Sequence, residues 1–188
     1  MRITLALFVS VFVFGVLFLQ SAGARDAPPQ GREAFERMVA YLARDGGQWR
    51  APNPRHDESN PRSPEAVGLW FTAPAGGNVL ELTVVFHYGD RVRHSTRGYW
   101  YFHPGRDEIV YHEVSPGGAV RTGTAHFESE DTFVTLTEAF ARDGSVTRNR
   151  GVNVLSEENS HHTTAYAMGD DGQWVEQNAL SWTRVAVE

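Results

Sequence analysis

The chain has eight histidines and no cysteine, so imidazole is its main resource for proton transfer or metal ligation. His161-His162, within EENSHHTTAY, is the only adjacent pair and invites a metal reading. Strand geometry argues against that. Residues 160 to 168 read as a strand, on which successive side chains point to opposite faces, so only one of the two enters an interior. The bulkier alternate row, His162, Thr164, Tyr166 and Met168, is expected inward, and His161, Thr163, Ala165 and Ala167 outward. A structural zinc site needs about four ligands and a catalytic one about three plus water, and the doublet supplies one.

The same alternation sorts the other candidates. Placing Arg91, Arg93, Ser95 and Arg97 in water turns Val92, His94, Thr96, Gly98 and Trp100 inward. Placing Arg121 outward turns Val120, Thr122, Thr124 and His126 inward. His94, His126 and His162 would then share one lumen. A buried histidine is more often a hydrogen-bonded lining residue than a ligand, so no metal and no cofactor is expected. Arg148 and Arg150 fall in the row Val146, Arg148, Arg150, Val152, Val154. Turned inward they would grip a carboxylate bidentately; turned outward, the commoner outcome, they are solvated charges. Trp100, Tyr111 and Tyr166 are expected to line the interior. His112 and Glu113 point to opposite faces, Ser115 lacks a nucleophile elbow, and no helix follows Gly117-Gly118 to cradle phosphate. No catalytic constellation is complete. The expected ligand-binding set is His94, Trp100, Tyr111, His126, Arg148, Arg150, His162 and Tyr166.

The elements that must position these residues are legible from periodicity. Phe35, Met38, Val39 and Leu42 form one apolar stripe at i, i+3, i+4 and i+7, ended by Asp45-Gly46-Gly47, which predicts a helix over 32–44. Beyond it, apolar residues recur every second position between turn signals such as YGD, HPGRDE, SPGG, RDGS and GDDG. Hairpin-joined strands without intervening helices make an antiparallel meander, and closing it removes its two edges. The expected fold is therefore all-β: an up-and-down barrel of about 8 to 10 strands preceded by one short helix. The polar, proline-rich stretch 50–64 is expected as a long loop near the barrel mouth.

The first residues bear on location. Arg2, an apolar run from Ile3 to about Leu19 and Ala22-Gly23-Ala24 have the form of a secretory signal, giving 1–24 as signal peptide, 25–31 as linker and 32–188 as a single barrel domain. An uncleaved membrane anchor is the weaker alternative; after cleavage no membrane span is expected. The expected location is periplasmic or secreted. With 17 cations, all arginine, against 23 acids, the net charge of −6 speaks against a nucleic-acid partner.

Several short motifs carry a family likeness. The helix running into Gly47-Gln48-Trp49, the closing Trp182-Thr183-Arg184, and the segments Gly98-Tyr99-Trp100-Tyr101 and Val114-Ser115-Pro116-Gly117-Gly118 together resemble the calycin and lipocalin superfamily, specifically small exported bacterial lipocalin-like domains of unknown function. The resemblance implies a ligand-holding barrel in which Arg184 lies over Trp49 and clasps the barrel ends. Nitrobindin-type haem barrels differ where this chain reads Arg50-Ala51-Pro52-Asn53. The expected function is binding of a small apolar or amphipathic molecule. Its rivals are a lipocalin-like isomerase or hydrolase using an inward histidine as acid or base, and a barrel filled by its own side chains that serves as an interaction module.

Overall fold

A computed structural model of the chain describes residues 27–74, 76–156 and 159–186. The expected signal segment lies outside them. The described chain forms one helix, α1 (Gly31–Leu42), and ten strands: β1 (Gln48–Pro52), β2 (Ala66–Thr72), β3 (Val79–Tyr88), β4 (Arg91–His103), β5 (Glu108–Val114), β6 (Val120–Phe127), β7 (Thr132–Phe140), β8 (Val146–Leu155), β9 (Ser160–Met168) and β10 (Trp174–Arg184). Each strand pairs antiparallel with its sequence neighbours, and β1 also pairs with β10, closing an up-and-down barrel. The expected all-β barrel with a preceding helix is therefore the observed fold.

The helix stoppers one end. Ala34, Phe35, Met38 and Leu42 are buried along its apolar stripe and pack with Trp49, Leu80, Ile109, Phe127, Phe133, Leu155 and Trp182 from the strands. Polar contacts tie the helix to the loops around that end: Arg32 donates to Asn78, Arg37 pairs with Glu130, and the Tyr41 hydroxyl is shared between the Ser156 and Ser160 carbonyls. Gly31 adopts a φ of +54°, and a Cβ there would stand 2.5 Å from Asp107 Oδ1, so glycine both permits the turn and admits the close approach.

The last carbonyls of a helix lack intrahelical partners. Here the barrel supplies them. Trp49 Nε1 donates to the Leu42 carbonyl at 2.9 Å, and Arg184 donates to the Tyr41 and Arg44 carbonyls at 2.9 and 2.5 Å. The Arg184 guanidinium stands 4.0 Å from the Trp49 ring centroid, and the two residues are cross-strand partners at the β1–β10 seam. That seam is short: its register comprises two residue pairs, Trp49 with Arg184 and Arg50 with Thr183.

Two bulges break the alternation that the sequence suggests. Thr83 pairs with Arg97 but Val85 pairs with His94, so Val84 of β3 faces two residues of β4, Ser95 and Thr96. Everything in β4 before this point changes face relative to Gly98 and Trp100. A second shift, between Glu176 and Asn178, leaves Gln177 of β10 as the extra residue.

Candidate functional site

Cross-strand register fixes which residues face the lumen. Trp100, Tyr111, Gly123 and Thr137 lie in one row of partners, continued by Asn149, Ala167 and Val175. Ala125, Thr135, Gly151, Ala165 and Asn178 lie in the next. Large side chains fill the lumen near α1, but farther along the inner rows of β6, β8 and β9 include Gly123, Ala125, Gly151, Ala165 and Ala167. Such small residues cannot reach one another across a ten-stranded barrel. Beside Gly151 and Ala165 lies a cavity of about 330 Å³ whose lining also includes Trp100, Tyr111, Arg121, Thr135, Thr137, Asn149, Asn153, Thr163 and Asn178.

The lining is amphipathic. Trp100 and Tyr111 make an aromatic wall, with ring centroids 4.5 Å apart. The Tyr111 hydroxyl donates to Glu113, which also receives Arg121 Nη1 at 3.3 Å. Burial first, and the Glu113 carboxylate second, hold the Tyr111 phenol well above its usual value, so it stays a protonated donor. Gly98, the cross-strand partner of Glu113, makes room for this cluster, since a Cβ there would stand 3.3 Å from Tyr111 Cε2. Deeper in, Trp182 Nε1 donates to Thr163 Oγ1 at 3.0 Å, and Thr163 in turn donates to Asn153 Oδ1 at 2.9 Å. Asn153 therefore borders the cavity from a position that hydrogen bonds already hold.

Of the expected ligand-binding residues, Trp100 and Tyr111 stand in the lumen. The histidines do not. His162 faces outward with Nδ1 3.1 Å from Ser181 Oγ, while His161, expected outside, is the inward one and is 3% exposed. Its ring lies 4.6 Å from that of Trp49 and 5.8 Å from that of Trp182. The expectation failed because it placed the bulkier row inside, whereas a hollow lumen takes the smaller row. His94 follows the β4 bulge to the outer face and meets Trp70 edge-on at 5.1 Å. By the same bulge Val92 turns out, and Arg91 and Arg93 turn onto the inner row behind Tyr88 and Phe86. His126 is outward, with Nε2 4.0 Å from Glu128, because Arg121, expected in water, takes the inner row with Glu113. Arg148 and Arg150 are outward and paired with Glu138 at 3.2 Å and Glu128 at 3.1 Å. Tyr166, opposite Arg150, shares that outer row, and both border the cavity from it. Trp49 and Arg184 form the stack described above.

Sequence reasoning missed Asn149, Asn153, Asn178, Thr135 and Thr137. Their signal was present as the alternation Asn149, Gly151, Asn153 in β8, a row too small and too polar for a packed core. Among the described residues no group of three or more His, Asp or Glu is placed to hold a metal ion, and no helix is long and apolar enough to cross a membrane. No protein-family model matches the chain, and no curated protein does.

Proposed function

We propose that this chain is an exported, lipocalin-like binding protein that holds one small amphipathic molecule in its barrel. The observation carrying this reading is the cavity of about 330 Å³, bordered by the small residues Gly151 and Ala165 and lined by an aromatic wall facing amides and hydroxyls. That volume is near the lower end of the roughly 300–1,000 Å³ typical of ligand pockets. A flat apolar part would stack on Trp100 and Tyr111, and polar edges would meet Asn149, Asn153 and Asn178. The Glu113 and Arg121 charges offset one another, which favours a ligand without net charge. The helix-then-barrel order, Gly47-Gln48-Trp49 and the Arg184 stack support the lipocalin-like assignment. The apolar start with Ala22-Gly23-Ala24 supports export, which N-terminal sequencing of the protein from its own cells checks. An acid–base role for histidine finds no support at the lumen, where the one inward histidine, His161, does not line the cavity.

The test is native mass spectrometry of protein purified from its own host, compared with an Ala165→Phe variant. The wild type is expected to carry a small-molecule adduct. The variant, its cavity filled by a benzyl group, is expected to lose the adduct while keeping its melting temperature within a few degrees, because the added volume enters empty space. A wild-type barrel that is consistently empty, or an adduct indifferent to the substitution, overturns the reading.

A further inference from the structure

A second concavity, of about 390 Å³, sits at the barrel mouth and is bounded by Pro61, Arg62, Tyr88, Arg91, Val92 and Arg93. Three arginines share its wall, and among the described residues no acidic side chain does. This is unexpected in a chain with 23 acidic residues and a net charge of −6. On the rest of the barrel, Arg37, Arg50, Arg106, Arg121, Arg148 and Arg150 each pair with a glutamate. Arg62, Arg91 and Arg93 have no ion pair and no side-chain hydrogen bond among the described residues.

Two local devices assemble the cluster. The Ser95-Thr96 bulge turns Arg91 and Arg93 onto the same row as Tyr88 and Phe86, at a tight turn that Gly89 permits with a φ of +59°. The loop carrying Arg62 is fixed by its own hydrogen bonds: Asn53 Nδ2 donates to the Pro64 carbonyl at 2.7 Å, the Asp57 N–H to Ser63 Oγ at 3.0 Å, and the Arg62 N–H to Asn60 Oδ1 at 3.0 Å. The Arg62 backbone is thus held while its guanidinium stays unengaged. Like charges gathered in a concavity repel one another, and a bound anion relieves that repulsion. Arginine's planar fork suits bidentate contact with phosphate oxygens, and the Tyr88 hydroxyl adds a donor.

We propose that this mouth concavity is a binding site for a multiply charged phosphate, a pyrophosphate or phosphate ester, either free in solution or as a lipid headgroup. The site is separate from the lumen and stands whether or not the lumen holds a ligand.

The experiment uses the full chain at low salt in two arms: calorimetric titration with inorganic pyrophosphate, and co-sedimentation with phosphatidylcholine vesicles with or without phosphatidate. Saturable heat with pyrophosphate identifies a free phosphate as sufficient, and sedimentation only with phosphatidate identifies the headgroup; either supports the site. In the responding arm, Arg62→Gln and the double variant Arg91→Gln, Arg93→Gln are each expected to weaken binding by about tenfold or more. Arg142→Gln, an exposed and likewise unpaired arginine of another mouth turn, is expected to leave binding within about twofold, with equal thermal midpoints showing that all variants fold. No saturable response in either arm, or equal weakening by Arg142→Gln, overturns the proposal.

Discussion

His161 is sealed among Trp49, Trp182 and Tyr41, and its pKa falls to about 3, because burial first and the Arg184 charge second disfavour the imidazolium. In the unfolded chain the same ring titrates near 6.5. As pH falls through 6.5 the unfolded state takes the proton first, so the stability His161 provides is complete above that pH. It drains away toward pH 3 at up to about 1.4 kcal/mol per pH unit. Urea unfolding at pH 7, 6 and 5 is expected to show this slope, and His161→Phe to flatten it; parallel slopes in the two proteins would assign the loss to other groups. Arg184 acts in the same cluster through its stack on Trp49 and its bonds to the Tyr41 and Arg44 carbonyls. Arg184→Ala is expected to cost about 2–4 kcal/mol in chemical denaturation, and Arg184→Lys to recover little of it, because an ammonium cannot stack and fork at once.

Among the elements, α1 acts through its buried stripe. Phe35 is fully buried against the closed end, and Phe35→Ala is expected to cost about 3–5 kcal/mol, measurable as a lowered urea midpoint. The helix and the meander were legible in the sequence because period and turn chemistry agree along nearly the whole chain. The facing of individual side chains was legible only where no bulge intervened. Gly98 and Trp100 were correctly turned inward, but Ser95 and Thr96 are ordinary strand residues that give no sign of an extra position, so His94, Arg91 and Arg93 came out on the wrong face. In β9 the error had another cause. Choosing the heavier row as core assumes a filled interior, and Ala165 and Ala167 face inward here because the interior is hollow.

For the whole molecule, the two ends of the barrel are opposites: one is stoppered by α1 and an aromatic cluster, the other is open and bordered by unpaired arginines. Between them the ring of hydrogen bonds is uneven. All nine β9 residues pair with partners across β10, for instance, whereas the β1–β10 register comprises only Trp49 with Arg184 and Arg50 with Thr183. Circular closure leaves no edge among the ten described strands, so any spontaneous breathing of the native state has to begin by parting some pair of neighbours, and the least fastened pair parts first. Native-state hydrogen exchange is therefore expected to find the Arg50 and Thr183 amides trading with deuterium well before those of β6 and β7, and Arg184→Ala to quicken that exchange selectively. Access to the interior from the side, without unfolding, would run through this narrow suture.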